Sequence, residues 1–182
     1  MEKAACGSAP SVPSEGDKGK TFILFSDDLD KTLATFVLAN GAAATGRKVT
    51  IFFTFWGLNA IKKERKPHVR KDFWGRMFGW MLPADSRKLG LSKMNMGGIG
   101  ARMMRFLMKE KGIDSLETLR QQAIDNGVEF IACQMSMDVM GIKREELLDS
   151  VSVGGVATTW SAPNRQYQLV YLIVWRKLLV YV

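Results

Sequence analysis

Three short and almost uninterrupted apolar runs limit this chain more than any other feature: Thr21–Ser26 (TFILFS), Lys48–Phe55 (KVTIFFTF) and Val128–Ala132 (VEFIA). A strand exposed on one face alternates polar with apolar residues. A strand buried on both faces does not, and such runs mark parallel strands inside an α/β sheet. Helical stretches separate them. Ser26, Asp27, Asp28 and Asp30 supply a cap and first-turn negative charge. Leu29, Leu33, Phe36, Val37 and Asn40 then recur at helical spacing, and Gly46 stops the helix. Trp56-Gly57 turns the second strand into a short helix with Leu58 and Ile61. Ala101–Lys111 reads as an amphipathic helix carrying Met103, Met104, Phe106, Leu107 and Met108. Ser115–Gly127 opens on capping chemistry at Asp114/Ser115 and closes on Asn126-Gly127. A short helix over Met135–Ile142, a turn over Arg144–Ser150 and a fourth strand within Ser150–Thr158 complete the series. The alternation predicts an α/β protein, a three-layer α/β/α arrangement on a mainly parallel sheet. Ligand chemistry in such sheets gathers at the carboxyl ends of the strands. Ser26, Phe55–Gly57, Cys133 and Gly154–Gly155 are therefore expected on one rim.

Several function classes fall away. No apolar run reaches the roughly 18–20 residues of a membrane-spanning helix. Residues 1–19 are rich in Gly, Ser and Pro, read as a flexible tail or linker holding Cys6, and lack the apolar core of a signal peptide. Two cysteines and one histidine argue against a disulfide framework and a structural zinc site. A Ser-His-Asp triad would have to use His68, inside the basic run KKERKPHVRK. No metal or cofactor is expected, and the setting reads as cytoplasmic and reducing. The formal charge is +8, yet Lys62–Lys111 holds 14 basic and 4 acidic residues, against 12 and 14 elsewhere. Residues 66–100 interrupt the α/β pattern and are apolar and basic at once, which reads as an insertion. The excess fits a solvated face, an acidic protein partner, an anionic membrane surface or nucleic acid. Phe73, Trp74, Phe78 and Trp80 interleave with the cations, but no nucleic-acid motif accompanies them and no nucleic-acid partner is expected.

Cys133 is the sharpest chemical signal. It closes a buried strand and opens a helix. The partial positive charge of a helix N-terminus stabilises a thiolate, and the N–H groups of Gln134, Met135 and Ser136 are placed to face the sulfur or an anion bound to it. The competing reading is an inert buried cysteine acting as a small hydrophobe. No Cys-x-x-Cys exists, so a lone thiol suits sulfur carriage, or redox sensing with an external resolving thiol. Gly154-Gly155 either permits close backbone approach to the sulfur or makes a tight turn. Met135, Met137 and Met140 read as core and interface filler rather than metal ligands.

The blocks FSDDLDKTLATFVLANGAAATG, VTIFFTFWGLNAI, FWGRMFGWML, LSKMNMGGIGARMM and FIACQMSMDVMGIKREEL together resemble the DsrE/DsrF-like sulfurtransferase family, over about residues 20–158. The nearest likeness is to the branch often labelled peroxiredoxin-like and associated with rhodanese and TusA modules. The resemblance implies a three-layer fold on a parallel sheet of about five strands, small homo-oligomers, and a cysteine that accepts sulfane sulfur and passes it on. Cys133 stands at the family's strand-end position. Peroxide reduction is not implied, and no Thr-x-x-Cys context is present around Cys133. TusA-like or rhodanese-like sulfur-transfer proteins are the implied partners. The likeness fails after Thr158, where relatives continue with a helix and a strand near Asn-Ile-Asn-Leu-Phe-Ile. Suitable codons for Arg165–Ile173, shifted by one base, read Gly-Asn-Ile-Asn-Leu-Phe-Ile-stop, so residues 159–182 are expected to be a frameshifted reading. Gln168–Val174 would then substitute as a strand.

The resulting expectation is a single DsrE-like domain over residues 20–182. It would be a carrier that holds sulfane sulfur on Cys133 as a persulfide or thiosulfonate and yields it to a partner thiol. Gln134, Met135, Ser136, Gly154, Gly155 and Trp56 would bind substrate, with Asp27, Asp28 and Thr54 as further lining. Residues 62–111 would serve as a lid, an oligomer contact, a docking face for an acidic carrier or a peripheral membrane contact. Two rivals are an interaction module in which Cys133 is structural, and a thiol redox protein that uses Cys6 as resolving cysteine.

Overall fold

The computed structural model describes residues 19–63 and 86–157, and the backbone of 168–171. The readings placed on Cys6, His68 and Phe73–Leu82 lie outside the described residues. Five strands form one sheet: β1 (Lys20–Leu24), β2 (Val49–Phe53), β3 (Glu129–Cys133), β4 (Val151–Gly154) and β5 (Gln168–Tyr171). Their order is β4-β3-β2-β1-β5 and every pairing is parallel. β5 falls within the stretch expected to substitute as a strand, and Lys20 pairs with Gln168.

Four described α-helices accompany the sheet: α1 (Leu29–Ala44), α2 (Ile99–Glu110), α3 (Leu116–Asp125) and α4 (Gln134–Met140). A 3-10 helix covers Phe55–Ile61. β1, β2, β3 and β4 are laid down in sequence across the sheet, and α1, α3 and α4 pack against one face of it. The main core lies there. Phe22, Leu24, Ile51, Phe53, Phe130 and Ala132 meet Leu29, Phe36 and Ala39 of α1, Leu116 and Ala123 of α3, and Met137 and Met140 of α4. The rings of Phe36, Phe53 and Phe130 stack with centroids 5.4 to 6.4 Å apart. Tilted and edge-on pairs of this kind add stabilisation beyond the buried area. On the opposite face Phe52, Ile131 and Cys133 form a second buried cluster, with Ile23 packed against it. Both faces of the sheet are therefore covered, as uninterrupted apolar runs require.

α2 departs from the simplest reading of its amphipathic pattern. Its buried residues are Gly100, Ala101 and Met108, whereas Ile99, Met103, Phe106 and Leu107 are exposed. The physical reason is close approach. A Cβ on Gly100 would lie 2.0 Å from the carbonyl oxygen of Met94, so this helix packs through its small residues and turns its large ones outward. Met137 and Met140 are core residues as expected, while Met135 is exposed. Among the described residues no helix is long and apolar enough to cross a membrane.

Candidate functional site at the carboxyl rim of the sheet

The register fixes the rim. Leu24 pairs with Phe53, Phe53 with Ala132, and Cys133 with Gly154. The residues that leave β1, β2, β3 and β4 at their carboxyl ends thus emerge side by side: Phe25–Asp28, Thr54–Gly57, Cys133 with α4, and Gly154–Gly155. This is the set that strand topology predicts to converge.

At the β2 end the chain is forced into a tight corner. Thr54 donates its amide to the Leu24 carbonyl at 3.0 Å. Phe55 has φ of 47°, the left-handed region unfavourable to an aromatic residue. Gly57 then passes so near β1 that a Cβ there would sit 2.2 Å from the Leu24 oxygen, so only glycine fits. The corner gathers Phe25, Phe55 and Trp56, with ring centroids 5.3 Å apart for the first pair and 6.1 Å for the second. Trp56 remains exposed.

Two polar pairs sit between the strand ends. The Thr54 and Ser136 hydroxyls are 2.8 Å apart, and Ser136 is fully buried. They tie the β2 corner to the first turn of α4. The Asn59 amide donates to Asp27 Oδ2 at 3.2 Å. Asn59 is fully buried, and its Oδ1 has no hydrogen-bond partner among the described residues. Burial raises the Asp27 carboxyl above its ordinary value, opposed by the Asn59 bond. The neighbouring Asp28 stands at the N-cap position of α1 but makes no side-chain capping bond; its carboxylate accepts instead from Ser26 and Lys31. A cleft of about 690 Å³ opens beside the β1 end, lined by Asp27 and Asp28 and by Arg87, Lys88, Arg102 and Arg105.

Cys133 is the last residue of β3 and the N-cap of α4. It is a free thiol, 2% exposed, beside Phe52 and Ile131. Its side chain takes part in no capping hydrogen bond. Strand alternation explains this. Cys133 shares a face with Ile131, two residues earlier, while α4 packs onto the other face through Met137 and Met140. The sulfur therefore rests against hydrocarbon. Gln134 is exposed and its side-chain amide donates to Asp138 at 2.9 Å. Gly154 lies beside Cys133 in β4, where a Cβ would come 3.3 Å from a methyl group of Ile131. Close approach at this glycine is thus to Ile131, and Gly155 follows it as the strand ends. The structure unites Thr54 with Ser136 and places Asp27 with Asn59. The sequence reading named Asp27, Thr54 and Ser136 but missed Asn59. An asparagine in the apolar stretch FWGLNAI was the available signal.

The DsrE/DsrF/DrsH-like family model matches residues 17–169. An uncharacterized protein, YrkE, of Bacillus subtilis strain 168 is 46% identical over 144 residues, covering 79% of this chain and 90% of that protein. The sulfur carrier protein DsrE2 of Allochromatium vinosum is 37% identical over 144 residues, covering 77% of this chain and 89% of that protein. The ychN protein from E. coli, seen in a crystal structure, shares the fold with a TM-score of 0.50 at 10% identity, over 84% of this chain and 97% of that one. The parallel sheet and a match running from just before β1 into β5 agree: the chain belongs to the DsrE/DsrF/DrsH-like family.

Proposed function

We propose that this protein takes part in sulfur transfer, as a carrier that holds sulfane sulfur on Cys133. The observation that carries this reading is a free cysteine at the strand-to-helix junction of the carboxyl rim, in a chain 37% identical to a protein named as a sulfur carrier. In the loading step the Cys133 thiolate attacks the outer sulfur of a sulfane donor. A new S–S bond forms, the donor's own bond to that sulfur breaks, and the leaving group departs with the electron pair. Unloading is the mirror step, in which a partner thiolate attacks the same outer sulfur and Cys133 leaves as thiolate. The partner would be a TusA-like or rhodanese-like protein in a reducing, cytoplasmic setting.

The chain's own contribution is shelter and alignment. Phe52 and Ile131 beside the sulfur keep a reactive persulfide from water and stray oxidants. The Thr54–Ser136 pair pins the first turn of α4 against the β2 corner, which fixes the backbone that carries Cys133. Trp56, Met135 and Val156 are exposed on the same rim and offer apolar contact to a docking partner. The test is intact-protein mass measurement after exposure to thiosulfate, tetrathionate or polysulfide. With Cys6 replaced by Ser throughout, a gain of one sulfur atom is expected from thiosulfate, one or more from polysulfide and an S2O3 adduct from tetrathionate on the chain that keeps Cys133, and none on Cys133→Ala or Cys133→Ser. Sulfur retained on those variants removes Cys133 from the reaction.

The burial of the thiol favours a second reading, an interaction module in which Cys133 only packs. A native folded chain whose thiol resists alkylation at neutral pH and takes up no sulfur establishes that reading instead.

A further inference from the structure

Four cations converge on one concavity. The cleft of about 690 Å³ beside the β1 end is lined by Arg87 and Lys88, from a 3-10 turn over Ser86–Lys88, and by Arg102 and Arg105 of α2. They belong to the basic excess of Lys62–Lys111, and the sulfur reading makes no use of them. The walls of the cleft are tied together. Leu29 donates its amide to the Gly90 carbonyl at 2.6 Å. The Asp30 carboxylate accepts the amide of Ser92 at 3.0 Å and its hydroxyl at 2.5 Å. These bonds moor the loop that follows Lys88 to the first turn of α1. Arg105 is half-buried and donates one nitrogen to the carbonyls of Ser86 and Leu89, at 3.4 and 3.3 Å. Carbonyls are neutral, so these bonds fix the guanidinium without cancelling its charge. Two carboxylates share the cleft. Asp28 is matched by Lys31 at 2.5 Å, and burial disfavours the charged form of Asp27. The cations therefore set the sign of the field inside.

We propose that this cleft binds a small ligand carrying a multiply charged tetrahedral oxyanion, of the phosphate or thiosulfate kind. Like charges brought together around a recess repel one another, and the fold holds them there all the same. Low-dielectric walls focus their field on whatever enters. Three of the four cations are arginines. The planar fork of a guanidinium matches two oxygens of an oxyanion at once, which a point charge cannot do. The volume lies within the range of small-molecule sites. Shape and charge favour a small ligand over an acidic protein. The cations line a recess, and an extended acidic segment would also run past Asp27 and Asp28, whereas a compact oxyanion sits among the cations alone. The inference stands apart from the sulfur reading, because binding here is measured on a chain with both cysteines removed.

The experiment is titration calorimetry of the full chain carrying Cys6→Ser and Cys133→Ser, with inorganic phosphate, pyrophosphate and thiosulfate as probes. Saturable binding of at least one probe is expected, and it weakens with added potassium chloride. Lys88→Gln with Arg102→Gln, both at exposed positions, lowers the affinity at least about tenfold. Arg47→Gln with Lys48→Gln removes the same charge just before β2, at the other end of the sheet, and changes the affinity by less than about twofold. Tighter binding of phosphate or pyrophosphate assigns the cleft to a phosphorylated ligand, and tighter binding of thiosulfate assigns it to anionic sulfur donors. The proposal is overturned if none of the three binds, or if binding survives the Lys88/Arg102 change. It is equally overturned if the Arg47/Lys48 change lowers the affinity as much, which reduces the effect to net charge.

Discussion

Phe52 and Phe53 are neighbours in sequence and opposites in circumstance. Phe53 enters the core shared by α1, α3 and α4, where its ring meets Phe36 and Phe130. Phe52 faces the other way, into the small cluster that holds Cys133. One face of the sheet concentrates aromatic packing, and the other keeps the one described cysteine among few buried neighbours. The contrast teaches that in this chain stability and candidate chemistry are separated by the thickness of the sheet. A sulfur atom can be altered without disturbing the aromatic centre that holds the fold.

Truncation of the two phenylalanines is the strongest way to break that contrast. Phe53→Ala is expected to cost about 5 kcal/mol in chemical denaturation, and Phe52→Ala about 3 kcal/mol. Equal losses would show that the Cys133 face is as much a stability centre as the other. Gly57→Ala comes next. Its Cβ meets the Leu24 oxygen, so the β2 corner must shift, at a cost of about 2–3 kcal/mol by the same measurement. Ser136→Ala leaves the Thr54 hydroxyl without its partner and is expected to cost about 1–2 kcal/mol. If sulfur loading on Cys133 slows as well, that hydrogen bond aligns the α4 turn as proposed.

Asp27→Asn gives the smallest change, and its sign depends on pH. Burial raises the Asp27 carboxyl above its unfolded value, so the folded chain prefers it protonated. The associated stability is fully present below the unfolded value and is lost as pH rises through the folded one. The substituted amide stays neutral at every pH and so escapes the desolvation that burial imposes on the Asp27 carboxylate. Its stability advantage over the native chain should therefore grow with pH across that interval, as thermal melts at several pH values would show. A flat difference would mean that Asp27 is well solvated when charged.

Much of the fold was legible because buried parallel strands need apolar side chains on both faces, and β1, β2 and β3 carry them. Helix ends were legible where local chemistry sets them. Ser115 accepts the Thr118 amide at 3.2 Å, and Gly46 takes a positive φ of 75° after α1. The inward side of α2 was not legible, since two apolar stripes occur on it and only the approach of Gly100 to Met94 decides between them. The position of Cys133 at a strand end could be read from composition alone. Its apolar surroundings followed from a parity left unused: Cys133 is two residues from Ile131 and must point the same way. The Asp27–Asn59 pair joins β1 to a 3-10 helix 32 residues later, a distance across which local pattern carries no information.

The sealing of Cys133 also has a kinetic consequence. A thiol enclosed by its neighbours meets a reagent only during brief partings of its cover, so its reaction has a speed limit set by the protein and not by the donor. With a concentrated alkylating agent the modification rate should level off, and the plateau would report how often this part of the molecule breathes. If Cys133 holds sulfur as proposed, the same partings would set the pace at which that sulfur leaves.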